Sequence, residues 1–119
     1  MQLTEDTSTG YTINEYNNDA IVVNNQSYSN SLLISNTELK PWKIDLDNIS
    51  DNDIDIIKTI SPEIFLLGTG ATQKNVSIGL FSELLNQGIG VEIMSTDAAC
   101  RTFNILSAEN RNVVAGLII

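Results

Sequence analysis

Polar and apolar positions change rhythm near the middle of the chain. In the first third they alternate: Tyr11-Thr12-Ile13-Asn14-Glu15-Tyr16 switches side-chain character, Asn17-Asn18-Asp19 has turn chemistry, and Ala20-Ile21-Val22-Val23 is a short β-branched run. Such stretches fit a pleated, half-buried surface, and they predict a hairpin. A second turn signal at Asn24-Asn25 leads through Gln26 to Asn30 into Ser31-Leu32-Leu33-Ile34-Ser35. This predicts a third strand and an antiparallel meander. From Asn36 to Asn48 the pattern loosens around Pro41-Trp42, as in a connection that tucks its one large aromatic against the core.

The second half alternates strands with helices. Ser50-Asp51-Asn52-Asp53 has the form of a capping box, in which hydroxyl and carboxylate satisfy free amides at a helix start. The helix is predicted to run to about Ile60, with Ile54, Ile57 and Ile60 on one face and Ser61-Pro62 as its stop. Ile64-Phe65-Leu66-Leu67 is an apolar run of strand length, broken by Gly68-Thr69-Gly70. Val76 to Asn86 carries apolar residues at 76, 80, 81, 84 and 85, predicting an amphipathic helix closed by Gln87-Gly88. Ile89 to Met94 predicts another strand. Ser95-Thr96-Asp97 offers the cap of a helix reaching about Ser107, with Ala99, Phe103 and Leu106 inward; a turn at Glu109 to Asn112 then feeds a strand from Val113 to Ile119.

The predicted fold class is α/β, with an N-terminal antiparallel meander or hairpin followed by a β-α-β-α-β unit. Fully apolar strands alternating with amphipathic helices imply a sheet covered on both faces. Right-handed crossovers bring the turns after Leu67 and Met94 to the same sheet edge, where α/β folds most often build ligand crevices.

Composition narrows the chemistry. At 119 residues and 42% hydrophobic, one domain over residues 1–119 is expected, with a loosely ordered polar segment over 1–10. Fifteen acidic against six basic side chains give a net charge of -9, which repels phosphate backbones and anionic lipid headgroups; no nucleic-acid partner is expected. The absence of histidine excludes Ser-His-Asp and Cys-His catalysis and every His-containing zinc site. A single cysteine, Cys100, forms no internal disulfide and suits a reducing compartment. The opening MQLTEDTSTG lacks the basic start and apolar run of a secretory signal, and no apolar stretch is long enough for a membrane span. The expected location is cytoplasmic.

Four features were candidates for chemistry. Gly68-Thr69-Gly70 follows a strand and precedes a helix, so its amides could meet a small anion or polar ligand. Gln73 stands where a dinucleotide fingerprint wants a third glycine, and the loop lacks the Gly-Lys-Ser/Thr ending of a P-loop, so a tight structural turn is the competing reading. Cys100 lies in the first turns of its helix beside Arg101, which favours a thiolate; Ala98 and Ala99 favour close packing and an inert thiol. Arg101 can pair with Asp97 at i, i+4 or reach a bound carboxylate or phosphate. The acids at Asp45, Asp47, Asp51, Asp53 and Asp55 lack the glycine and terminal glutamate of an EF-hand loop, so no metal and no cofactor is expected.

The segments Pro62-Glu63-Ile64-Phe65-Leu66-Leu67-Gly68-Thr69-Gly70, Gly88 through Leu106 with its Ala98-Ala99-Cys100-Arg101-Thr102-Phe103-Asn104 core, and Glu109-Asn110-Arg111-Asn112-Val113 carry a resemblance that spans nearly the whole chain. They resemble a family long catalogued as a domain of unknown function, the adipogenesis-associated Mth-like domain proteins, whose relatives include a mitochondrial complex I assembly factor. The resemblance implies a compact three-layer α/β fold with a central mixed sheet and an early β-hairpin. It implies no reaction and supplies no catalytic residue. The reading that follows is a protein-interaction or assembly factor with a protein partner, self-association through an exposed β edge being a further possibility. The alternative is a small-anion, polar-ligand or thiol-redox protein using a pocket of Gly68, Thr69, Gly70, Thr96, Cys100, Arg101 and Asn104.

Overall fold

A run without a polar residue has no face to offer water, so Ile64–Gly68 (β6) must be covered on both sides. It lies inside a five-stranded sheet of order β5-β4-β8-β6-β7, where β4 is Leu32–Ser35, β5 Leu39–Pro41, β7 Gly90–Met94 and β8 Val113–Leu117. The computed structural model describes residues 10–119, so the expected loose segment over 1–10 lies outside the described residues except for its last, exposed member, Gly10. β6 runs parallel to both β7 and β8, whereas β4 is antiparallel to β8 and to β5. The sheet is mixed, as the family resemblance implies.

Successive β6 residues feed opposite cores. Leu66 packs with Ile34, Val113, Ala115 and Leu117 beneath Ala99, Cys100 and Phe103 of α3 (Thr96–Ala108). Phe65 and Leu67 pack on the other face with Leu33, Val114, Ile54 and Ile57 of α1 (Asp51–Ile60), and Phe81 and Leu84 beside α2 (Ser82–Asn86). The period-two alternation of a strand thus sorts one apolar run into two cores, giving three layers.

A second sheet, β1-β2-β3 (Ile13–Asn17, Ala20–Val23, Gln26–Tyr28), is fully antiparallel and lays Ile13, Ile21 and Val23 against the α3 side of the core. The meander is therefore real, but its third strand is Gln26–Tyr28, not the run from Ser31 to Ser35 that the sequence predicts. Gln26-Ser27-Tyr28 closes the small sheet, while all four residues of Leu32–Ser35 are buried and belong to the central one. Apolarity on both faces sends β4 to the interior; the polar Gln26-Ser27 pair stays outside. The loose connection from Asn36 to Asn48 also holds a short strand, β5.

The predicted helix over Val76 to Asn86 forms only in part. Ile78–Phe81 is a turn of 3-10 helix and α-helix begins at Ser82, neither with a side-chain cap. Thr72, Asn75, Val76, Ser77 and Gly79 are weak helix formers. Ile78, Leu80 and Leu85 consequently stay 50%, 48% and 41% exposed. The capping box of α1 is present, Ser50 Oγ accepting from the Asp53 N–H and Asp53 Oδ2 accepting from the Ser50 N–H.

Trp42 fills the α1 side of the core as the sequence predicts, edge-on to Phe65 with ring centroids 6.1 Å apart. Its six-membered ring occupies the space beside Gly116, where an added Cβ would stand 2.0 Å from Cζ3. Gly116→Ala is expected to cost roughly 1–3 kcal/mol by overpacking, read by urea denaturation; wild-type stability in the variant would overturn this account of the Trp42 seat.

Candidate functional site

The carboxyl ends of β6, β7 and β8 meet the N-terminus of α3, the place where a ligand crevice is predicted. Gly68 permits the meeting, because a Cβ there would lie 2.9 Å from both Cα and Oγ1 of Thr96 and 3.2 Å from the Ala99 methyl. α3 starts almost on the backbone of β6. Ser95 caps it by accepting from the Ala98 N–H.

Thr96 ties the strand ends together. Its backbone N–H donates to the Gly70 carbonyl at 2.9 Å. Its Oγ1 accepts from the Gly70 N–H at 2.8 Å and donates to the Ile118 carbonyl. The Ile118 N–H in turn donates to the Gly68 carbonyl at 3.0 Å. Thr69 donates its N–H to the Met94 carbonyl at 2.9 Å and its hydroxyl to the Thr72 carbonyl at 2.8 Å, and accepts from the Lys74 N–H at 3.0 Å. Gly68, Thr69, Gly70 and Thr96 are all buried. The amides that would face an anion are occupied by the protein's own acceptors.

The other three candidates stand apart from this latch. Cys100 is buried among the α3-side core residues, and its thiol is pushed up to about 12, chiefly by burial and then by the Asp97 charge, with Arg101 acting weakly the other way. Helix start and guanidinium do not prevail over desolvation. Arg101 is exposed and bonds Asp97 in an i, i+4 ion pair. Asn104 accepts from the Ile13 N–H at 2.9 Å and donates to the Ile13 carbonyl at 2.8 Å, so its amide stands in for a strand partner and fastens β1 to α3.

Two features were not visible in the sequence. Tyr16 places its hydroxyl in the interior without a hydrogen-bond partner among the described residues, and burial first, then Cys100 and Asp97, raises its pKa. A cleft of about 980 Å³ rich in asparagine side chains opens beside Tyr11, Asn25, Asn36, Asn104 and Asn110. Both depend on how the small sheet docks on α3, which no local pattern encodes. The acidic residues are absorbed locally: Asp53 in the capping box, and Asp45 Oδ1 accepting from the Asp47 N–H at 2.9 Å. Among the described residues no three acidic or thiol groups gather as a metal site.

Removing the Thr96 hydroxyl leaves the buried Gly70 N–H unpaired, so Thr96→Val is expected to lose roughly 1–3 kcal/mol in urea denaturation. Arg101→Ala, which breaks an exposed pair, should stay within about 0.5 kcal/mol. The reverse order would assign the latch to the wrong residue.

Residues 13–118 match the family described as "Protein of unknown function (DUF498/DUF598)". A Francisella tularensis protein named "13 kDa major membrane protein" is 32% identical over 102 residues, covering 83% of each chain. The Danio rerio "NADH dehydrogenase [ubiquinone] 1 alpha subcomplex assembly factor 3" is 29% identical over 96% of this chain and 67% of its own. A solution structure from Bordetella pertussis, described as a Mth938-like domain, superposes with a TM-score of 0.77 at 26% identity, over 99% of this chain and 92% of that one. Among the described residues no helix is long and apolar enough to cross a membrane. The Mth-like resemblance is thus matched in sequence and in fold, and the chain belongs to the DUF498/DUF598 family of proteins of unknown function.

Proposed function

We propose that this chain is a non-enzymatic protein-interaction factor of the assembly type, acting in the cytoplasm. The observation that carries the reading is the closed strand-end site. Where α/β folds most often leave backbone amides for a ligand, this chain spends those of Thr69, Gly70 and Thr96 on the Met94 carbonyl, the Thr96 hydroxyl and the Gly70 carbonyl. A fold that uses its customary crevice for its own closure has its outer surface left for work. The assembly-factor name of vertebrate relatives supports the same direction. Affinity capture of the tagged full chain from native extract is expected to recover a defined partner that survives moderate salt. Reproducible recovery of nothing would sink the reading.

A second reading keeps one observation of its own: the Arg101 guanidinium near the start of α3, 66% exposed and paired with the exposed Asp97. In that reading Arg101 grips an anion over the Gly68–Gly70 turn and Cys100 serves as a nearby thiol. Thiol chemistry separates the two. With Cys100 raised from 9.0 to about 12, its thiolate fraction near neutral pH falls roughly a thousandfold. Iodoacetamide should label the native protein about that much more slowly than the urea-unfolded chain, and inorganic phosphate should leave the melting temperature unchanged. Rapid labelling, or a phosphate-dependent rise in melting temperature, would favour the ligand reading.

The same shift fixes a pH dependence. The folded-state pKa lies above the unfolded one, so the stabilising contribution is complete below about pH 9 and is lost as pH rises toward 12. Cys100→Ala should flatten the alkaline fall in stability measured by urea denaturation between pH 8 and about 10.

A further inference from the structure

The edges of the two sheets are treated unequally. β5 is three residues long, ends in Pro41 and carries Lys40, all features that discourage further pairing. β1 has its Ile13 backbone groups taken by the Asn104 amide. β7, the opposite edge of the central sheet, has no such cover among the described residues. The Gly90 N–H donates to the Glu63 carbonyl and the Met94 carbonyl accepts from the Thr69 N–H, so residues 90 and 94 point their backbone groups toward β6. By alternation Val91 and Ile93 point theirs outward. Among the described residues these outward groups have no hydrogen-bond partner.

Beside this edge lies an apolar ledge. The short helical segments carrying Ile78, Leu80 and Leu85 pack against β7, and these three side chains are about half exposed. Val91 and Ile93 turn to that same face, whereas Glu92 is exposed on the other. Among the described residues Glu92 makes no ion pair, while Glu83 of α2 is paired with Lys58 at 3.0 Å.

We propose that β7 is a docking edge for an extended segment of a partner protein, in which basic residues facing Glu92 alternate with apolar residues lying along the Ile78-Leu80-Leu85 ledge. The proposal rests on the interaction reading above and names its surface. Charge selects the occupant. A second copy of this chain, paired antiparallel so that Val91 and Ile93 are used on both sides, would set Glu92 directly opposite Glu92. Like charges in that position destabilise a strand pair, and each copy brings a net charge of -9. A basic segment reverses both terms, and main-chain pairing to an open edge supplies the rest of the affinity.

The probes are two peptides, acetyl-Lys-Val-Lys-Val-Lys-amide and its Glu-for-Lys counterpart, titrated into the nitrogen-15-labelled full chain. The lysine peptide is expected to shift the Val91 and Ile93 amide signals saturably and to bind roughly two- to fivefold more tightly than the glutamate peptide. The exposed substitution Glu92→Lys should invert that order. Silence of the Val91 and Ile93 amides with both peptides, or an order unchanged in Glu92→Lys, would overturn the proposal. So would a wild-type dimer in sedimentation velocity that Glu92→Lys alters. Capture of a partner undiminished by Glu92→Lys would discard the edge and leave the interaction reading standing. An empty capture beside a positive titration would retain the edge and discard the assembly role.

Discussion

The joint on which this structure turns is the Thr96 hydroxyl, held between the Gly70 N–H and the Ile118 carbonyl. Through it the end of β6, the segment after β8 and the first turn of α3 become one hydrogen-bonded unit. The joint needs α3 to begin close against β6, and Gly68 is the position that allows it. Once α3 is seated there, its inner face presents Ala99, Cys100 and Phe103 to the sheet, and Asn104 is placed to receive β1. The docking of the small sheet therefore depends on a contact made at the far end of the helix. A buried hydroxyl with both partners satisfied stabilises only modestly, yet losing it exposes the full desolvation cost of the groups left behind. That asymmetry makes the latch a specifying feature as well as a stabilising one.

Much of this could be read from the sequence, because its signals were local. The Ser50–Asp53 capping box, the strand at Ile64, the helix opened by Ser95 and the inward stripe of Ala99 and Phe103 all follow from spacing and side-chain chemistry within a few residues. The misses were cases where tertiary context outweighed local pattern. Leu32–Ser35 looked like the last strand of a meander and is instead an inner strand of the central sheet, since only there can both its faces be covered. Val76 to Asn86 had helical spacing but poor helix formers, and propensity limited α2 to Ser82–Asn86.

The candidate site was legible in outline and not in use. Sequence brought Gly68, Thr69, Gly70 and Thr96 to the same strand ends, and the structure joins them. Whether their amides faced a ligand or one another was beyond any spacing rule, because the deciding acceptors, the Met94 carbonyl and the Thr96 hydroxyl, come from β7 and α3, far along the chain. Cys100 had a comparable ambiguity. A helix start and a neighbouring guanidinium lower a thiol pKa, burial and a carboxylate raise it, and only the depth of the side chain decides the sum.

A closed crevice and a partly melted helix have a common consequence for the surface. Had residues 76–86 formed a full amphipathic helix, Leu80 and Leu85 would have shared its buried stripe with Phe81 and Leu84. The 3-10 turn and the short α2 together bury Phe81 and Leu84 and leave Ile78, Leu80 and Leu85 about half exposed beside β7. An apolar ledge next to unpaired backbone groups is an aggregation hazard that edge strands ordinarily suppress with charge. Here Glu92 at the middle of β7 and an overall charge of -9 oppose pairing between copies. The same charge that opposes such pairing is attractive to a basic segment. If β7 is the docking edge proposed above, resistance to self-pairing and choice of partner draw on one electrostatic feature.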